Sequence, residues 1–107
     1  MDLAHLTDEV EDVSRAYAQR HGITRDATWF LLKLHEEIGE LTQAYLMRAG
    51  QARTKGFSPR EIDAQFRGEV ADVLCHTLLL AHHHGIDLQD AVTRKWLVWR
   101  SGPATAS

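Results

Sequence analysis

His35-Glu36-Glu37-Ile38-Gly39-Glu40 and, later in the chain, Glu69-Val70-Ala71-Asp72 are the two stretches that decide how this sequence folds. Both are acidic, and both lie within apolar sequence of helical period. An unpaired carboxylate is costly to bury, so acids that recur one helical turn apart among core positions need a shared partner. The two stretches therefore predict two helices that pack with these faces together, with a divalent cation as the obvious partner.

The apolar spacing around these stretches predicts four helices and no strand. We expect the helices to span about residues 7–20, 26–48, 58–84 and 88–99. Thr7 is the expected N-cap of the first helix, and Asp26 or Thr24 that of the second. Ser58-Pro59-Arg60-Glu61 combines a capping box with a proline in the first turn, which predicts the start of the third helix. Gly22 suits the left-handed position after the first helix.

Two acids are predicted to point inward from the apolar stripes of the central helices. Glu37 falls among the stripe of the second helix and Glu69 among that of the third, with Glu36, Glu40 and Asp72 along the borders. The predicted core positions are Phe30, Leu31, Leu34, Ile38, Leu41 and Tyr45 on helix two, Ile62, Phe66, Val73, Thr77 and Leu80 on helix three, and Leu88, Val92, Trp96 and Trp99 on helix four.

The expected fold is all-α, a four-helix-bundle-like protomer with two long antiparallel central helices, completed by oligomerisation. Residues 1–100 form one predicted helical domain, and residues 101–107 are a flexible tail of small polar residues. Leu74, Leu78 and Leu79 lie off the main stripe of the third helix and are the expected contacts to another copy. A homodimer or a dimer of dimers, with the site bordered by two protomers, follows from this arrangement.

The composition excludes several functional classes. The 107 residues carry 12 Lys and Arg against 15 Asp and Glu, a formal net charge of -3, and no basic run that would follow a nucleic-acid backbone. We therefore expect no bulk nucleic-acid binding. A single cysteine, Cys75, excludes an internal disulfide and fits a reducing cytoplasm. No uncharged run is long enough to span a membrane, so a cytoplasmic protein with no membrane contact is expected.

The acids indicate a metal site made of oxygen ligands. Glu37, Glu40, Glu69 and Asp72 are the predicted ligands, because two antiparallel helices would bring them together and several carboxylates in one place require a cation. Such a site suits Mg²⁺, with Mn²⁺ as the possible substitute, and predicts a nucleotide or diphosphate ligand. His82-His83-His84 cannot face one ion together, because consecutive helical residues point in different directions, and a histidine metal site is therefore disfavoured. His76 is interpreted as a partner of Asp72 or a packed core residue.

The sequence also resembles a known family. Glu36-Glu37-Ile38-Gly39-Glu40-Leu41 followed by Glu69-Val70-Ala71-Asp72-Val73-Leu74 resembles the paired acidic motifs of the MazG-like, all-α nucleoside triphosphate pyrophosphohydrolases. The likeness covers about residues 28–100, including His84-Gly85-Ile86-Asp87-Leu88 and Lys95-Trp96. It implies hydrolysis of a nucleoside triphosphate between the α and β phosphates, to a monophosphate and pyrophosphate. Removal of unwanted nucleotides is one possible purpose.

The resemblance also implies roles for individual residues. Glu37, Glu40, Glu69 and Asp72 match metal ligands, Glu36 matches an acid that binds a further metal or orients the attacking water, and Lys95 matches a lysine that touches the phosphates. Thr93-Arg94-Lys95 lacks the asparagine that many members place shortly before this lysine. Independently of the family, Arg53 and Lys55 in the mobile loop 49–57 are candidate phosphate contacts, and Trp96 is a candidate for stacking on a base.

Two alternatives remain open from the sequence. Glu69-Val70-Ala71-Asp72-Val73-Leu74-Cys75-His76 also resembles the second motif of the phosphoribosyl-ATP pyrophosphohydrolases of histidine biosynthesis. The second alternative belongs to a different functional class: a non-catalytic helical dimerisation module whose acids hold a structural cation.

Overall fold

The computed structural model describes residues 1–100. It contains four α-helices, α1 (Leu3–His21), α2 (Ala27–Arg48), α3 (Pro59–His83) and α4 (Leu88–Lys95), followed by a short 3₁₀ helix, Leu97–Trp99. There is no strand within these residues, which confirms the all-α class. The predicted flexible tail, residues 101–107, lies outside the described part of the chain.

All four α-helices start at a side-chain cap, including α4, where the Asp87 carboxylate accepts a hydrogen bond from the Asp90 amide at 3.1 Å. The Asp26 carboxylate accepts a hydrogen bond from the Trp29 amide at 2.7 Å and begins α2. Ser58 and Glu61 form the reciprocal capping box of α3, as predicted. The prediction of Thr7 as the first N-cap is wrong, because Asp2 accepts a hydrogen bond from the His5 amide at 2.8 Å and starts α1 earlier. Thr7 then lies inside the helix, where its hydroxyl donates to the Leu3 carbonyl.

α2 and α3 pack along their lengths as an antiparallel pair. At one end, Arg48 of α2 forms an ion pair with Asp63 near the start of α3, at 3.0 Å. At the other end, the Phe30 ring lies against the ring of His83, the last residue of α3. This pairing confirms the two long central helices and places the two acidic stretches opposite each other.

α1 packs on α3 and changes which residues form the core. Leu78 is 0% exposed and Leu79 2%, so the assignment of these two leucines to an oligomer contact is wrong. The reason is that α3 is covered by two helices, α1 as well as α2, and its buried surface is wider than one stripe. Leu74, the third of the set, is 47% exposed.

The second helix is buried on one side only. Phe30, Ala44 and Met47 are buried, whereas Leu31, Ile38 and Tyr45 are exposed, although all three of the latter were predicted to be core. Tyr45 lies beside the Phe66 ring of α3, with ring centroids 6.2 Å apart. Residues at this side of the helix pair form what we call the apolar outer face, namely Leu31, Ile38, Tyr45, Phe66, Val70 and Leu74.

α4 is shorter than predicted and packs mainly on the 3₁₀ turn that follows it. The helix ends at Lys95 rather than near residue 99, where bulky aromatic and β-branched side chains without a packing partner favour a helix least. Val92, Trp96 and Trp99 are 43%, 70% and 56% exposed, so their assignment to the core is wrong within this chain.

The chain is more extended than a compact domain of its size. Its radius of gyration is 17.2 Å, against about 13 Å for a compact domain of 100 residues. No helix in residues 1–100 is both long and apolar enough to cross a membrane. The cytoplasmic location and the single-domain boundary stay predictions.

Candidate active site

Three acids meet where α2 and α3 pack together. One carboxylate oxygen from each of Glu37, Glu40 and Glu69 lies within 4.8 Å of the other two. The spacing of three residues puts Glu37 and Glu40 on one face of α2, and the antiparallel pairing brings Glu69 of α3 to the same place. We call these three residues the carboxylate cluster.

Two oxygens of the cluster are buried without a partner. Glu37 is 8% exposed, and Glu69 is half-buried. The Oε2 atoms of both residues are buried and accept no hydrogen bond from the described residues. Because such an oxygen is costly to leave unpaired, the cluster fits a bound cation better than it fits an empty helix interface. Oxygen-only donors suit a hard divalent ion.

Burial and crowding raise the pKa values of the inward acids. Removal from water raises the pKa of Glu37 to about 7, and the charges of Glu40 and Asp72 add to this effect. Burial also raises the pKa of Glu69, with Glu40 and Asp72 again contributing. Near neutral pH the cluster therefore holds a proton for part of the time, and a divalent cation would displace it.

Asp72 borders the cluster without joining it. Its charge acts on both Glu37 and Glu69, which places it nearby, but its side chain is exposed and its oxygens lie outside the 4.8 Å set. The structure thus brings together three of the four predicted metal ligands. Their binding of a metal stays a prediction.

Glu36 is exposed at the edge of the cluster and pairs with a residue that the sequence interpretation missed. Its carboxylate lies 3.3 Å from Nζ of Lys33, and its side chain is 55% exposed. Lys33 precedes Glu37 by one helical turn, and this spacing was the available signal. The lysine therefore adds one positive charge beside an otherwise acidic site.

His76, which was interpreted from the sequence as a partner of Asp72 or a packed core residue, approaches Glu37 instead. Its Nε2 lies 3.9 Å from Oε1 of Glu37, and its Nδ1 is buried without a hydrogen-bond partner among the described residues. Its ring centroid lies 6.4 Å from that of Trp29. Burial lowers the pKa of His76 and Lys33 lowers it further, against the opposing charges of Asp72 and Glu36. His76 follows Glu69 by two helical turns, so both project from the same side of α3.

A comparison with known protein families supplies the identification. The sequence model of the family described as phosphoribosyl-ATP pyrophosphohydrolase (PRA-PH) matches residues 3–94, which span all four helices except the last residue of α4. The chain belongs to the PRA-PH family. Neither the curated proteins nor the solved structures contain a significant match to it.

Membership of the PRA-PH family confirms that the chain is an enzyme, a nucleotide pyrophosphohydrolase that acts on an acid anhydride. The family is all-α and related to the MazG-like superfamily, which the match itself does not name. Pyrophosphohydrolases of this kind typically use a divalent metal, in agreement with the unpaired oxygens of the carboxylate cluster.

The structure does not bring the other predicted substrate contacts of this PRA-PH chain to the cluster. Arg53 and Lys55 lie in the exposed segment between α2 and α3, and Lys95 and Trp96 lie at the end of α4, which packs mainly on its own 3₁₀ turn. None of these four side chains forms a hydrogen bond or ion pair with the described residues. Their contacts with substrate stay predictions.

Cys75 is a half-buried free cysteine on α3. Burial raises the pKa of its thiol, and the nearby charge of Asp72 raises it further. A thiol that resists ionisation is a poor nucleophile, so covalent catalysis by Cys75 is disfavoured.

Proposed function

We propose that Glu37, Glu40 and Glu69 hold a divalent cation, Mg²⁺ or Mn²⁺, and that the enzyme hydrolyses the anhydride between the α and β phosphates of its substrate. The products are a nucleoside monophosphate group and pyrophosphate. The observation that carries this proposal is the meeting of three carboxylates from two helices with two buried oxygens unpaired. PRA-PH membership independently supports an anhydride as the bond that is cleaved.

The arrangement assigns distinct tasks to the acids. Glu37 and Glu69 supply the inward oxygens, and Glu40 completes the cluster from the more exposed side of α2. When bound, the cation neutralises charge on the phosphates and lowers the pKa of water. Asp72 and Glu36 lie beside the cluster, where Asp72 is available to a further ion and Glu36 to an attacking water. Glu36 would have to release Lys33 to accept a proton.

Two substrates remain candidates, each favoured by a different observation. The family match favours phosphoribosyl-ATP, since that compound names the matched family. The motif of residues 36–41 resembles the MazG-like enzymes and favours ordinary NTPs or dNTPs. A competition assay that offers phosphoribosyl-ATP together with a panel of NTPs and dNTPs decides between them by the relative rates of pyrophosphate release.

The test of the metal proposal removes one inward charge without changing the size of the side chain. Glu69→Gln should abolish pyrophosphate release and weaken Mn²⁺ binding, measured by calorimetry without nucleotide. Glu9→Gln is the matched control, because Glu9 lies on the surface of α1 and pairs only with His5 among the described residues. Equal Mn²⁺ affinity in wild type and Glu69→Gln would contradict the proposal. Tight Mn²⁺ binding without turnover of any candidate would favour the non-catalytic module.

We also propose that the apolar outer face is covered by a second copy of the chain. The chain exposes 7957 Å², whereas a compact monomer of this mass exposes about 6,000 Å². The excess is comparable to the area that an obligate homodimer buries on each partner, roughly 1,000 to 2,500 Å². Ile38→Asp, at the centre of this face, should dissociate the dimer in light scattering, and an unchanged mass would contradict the assignment.

A further inference from the structure

We propose a second self-association surface, in which the C-terminal arm of one copy fills a cavity in another copy. The C-terminal arm is Leu97–Arg100, the 3₁₀ turn and the residue that follows it. The cavity lies between the start of α1, the end of α3 and the start of α4. This surface is separate from both the carboxylate cluster and the apolar outer face, and it does not depend on the proposed hydrolysis.

The cavity has an apolar floor and an acidic rim. Its volume is about 400 Å³, which is within the range of about 300–1,000 Å³ that binds drug-sized groups. Leu78 and Ala81, both buried, form its floor, and Asp8 and Asp87 lie on its rim with His82. Since His82 follows Glu69 by 13 residues on α3, the cavity lies about 20 Å along the helix from the carboxylate cluster.

The C-terminal arm is complementary to this cavity, because it is apolar and is flanked by basic residues. Leu97, Val98 and Trp99 are 41%, 45% and 56% exposed, and the arm packs on α4 rather than on the helices of the core. Arg100 ends the arm and Lys95 ends α4, so a positive charge lies on each side of its apolar residues. Tryptophan and arginine are both enriched among the residues that contribute most to protein interfaces.

The arm cannot fill the cavity of its own chain. Asp87 and Leu88, which line the cavity, also begin α4. The eight residues of α4 form a rigid helix about 12 Å long, and this helix carries the arm away from the cavity at its start. Only another copy can bring an arm to it.

If the α4 helices of two copies pack antiparallel, the cavities of both copies are filled at once. In this arrangement each arm reaches the cavity at the start of the other α4, so the contact is two-fold symmetric and closes on itself. The start of α4 carries Asp87 and its end carries Lys95, whereas Asp90 and Arg94 already pair with each other within the helix at 2.8 Å. Antiparallel pairing therefore places the acidic end of each helix beside the basic end of the other, which also agrees with the helix dipoles.

Combined with the apolar outer face, this surface yields a dimer of dimers. We expect light scattering to give a mass of about 48 kDa for four chains of 12.1 kDa. Trp99→Ala should halve the mass, because it removes the side chain that anchors the arm in the cavity. The variant should still fold, since Trp99 is exposed in the single chain. Asp8→Arg should also halve it by reversing the charge at the cavity rim, and adding Arg100→Glu to Asp8→Arg should restore it.

The control is Arg20→Glu, an equal charge reversal on an exposed position in the last turn of α1, which should leave the mass unchanged. A mass that stays at the wild-type value in both Trp99→Ala and Asp8→Arg would overturn the proposal and leave the cavity to some other ligand. Failure of the double variant to regain the wild-type mass would overturn the assignment of charge pairing. Ile38→Asp tests the outer face independently, and pyrophosphate release tests the active site independently.

Discussion

Glu37 should make the metal-free protein lose stability as the pH rises. Its pKa is about 7 in the folded chain and near its ordinary value of about 4.5 when unfolded. Between these values the folded state binds more protons than the unfolded state, so the free energy of unfolding falls with pH. The shift corresponds to about 3 kcal/mol, present in full below the unfolded pKa and lost as the pH passes the folded one.

Urea unfolding at pH 5 and pH 8 with a chelator measures this loss. Glu37→Gln should remove most of the difference between the two pH values, and saturating Mg²⁺ should remove it by holding the carboxylates in their charged form. A wild-type protein that is more stable at pH 8 than at pH 5 without metal would contradict the burial of this acid.

Glu11 should have the opposite effect on the pH dependence of stability, so that the free energy of unfolding falls as the pH falls. It is 6% exposed, and its oxygens accept hydrogen bonds from both Nη atoms of Arg25, at 2.9 and 2.7 Å. Hydrogen bonding to Arg25 lowers the pKa of Glu11 to about 2, against the opposing effect of burial. The stability that this pair contributes is therefore complete above pH 4.5 and declines as the pH falls towards 2.

Glu11→Gln should lower the free energy of unfolding at pH 7 by about 3 kcal/mol, because Arg25 would be left buried without its counter-ion. The measurement is chemical denaturation against Glu9→Gln, a surface change that should stay within about 0.5 kcal/mol of wild type. A loss no larger than that of the control would show that Arg25 finds another partner. The sequence analysis did not identify this ion pair, since nothing local connects residues 11 and 25.

At the scale of single helices, the N-terminal cap of α3 determines most clearly where a helix begins. The Ser58 hydroxyl accepts from the Glu61 amide at 3.2 Å, and the Glu61 carboxylate accepts from the Ser58 amide at 2.9 Å. Ser58→Ala should lower the free energy of unfolding by about 1 kcal/mol. Thr24→Ala is the control, because Thr24 was the alternative cap of α2 and Asp26 performs that role. Equal stability of the two variants would mean that Ser58 is not the operative cap.

Helix starts were predictable where the signal is local, and helix ends and packed faces were not. The caps at Asp26 and Ser58 require only neighbouring residues, and the structure confirms both. The burial of Leu78 and Leu79 depends on packing by α1. The exposure of Leu31 and Ile38 arises because no described helix packs on that side of α2. The premature end of α4 has the same origin, since periodicity in the sequence does not identify the partner that a stripe packs against.

At the scale of the whole molecule, the carboxylate cluster was predictable because its acids interrupt apolar stripes. Glu37 and Glu69 are inward, and Glu40 joins them, as their spacing indicated. The surroundings were less predictable. Lys33 and His76 approach the cluster through side-chain orientations that the motif does not specify. Arg53, Lys55, Lys95 and Trp96 lie on exposed segments outside the α2/α3 pair, and the sequence does not specify where these segments lie relative to the cluster.

The extended shape of the molecule, 53 × 39 × 26 Å, agrees with an apolar outer face that is left uncovered in the single chain. That face and the carboxylate cluster lie on different flanks of the helix pair, since Ile38 and Glu40 are two residues apart and therefore about 160° apart around α2. The carboxylate cluster itself is complete within one chain, so metal binding should persist in variants that dissociate.

The most direct test of the central claim is product analysis after incubation with Mg²⁺ and each candidate substrate, phosphoribosyl-ATP and the NTPs and dNTPs. We predict pyrophosphate and the corresponding monophosphate from at least one of them, lost in Glu69→Gln and retained in Glu9→Gln. Release of orthophosphate with a diphosphate product, or no pyrophosphate from any candidate with either Mg²⁺ or Mn²⁺, would contradict the assignment of the carboxylate cluster as a centre for α–β anhydride hydrolysis.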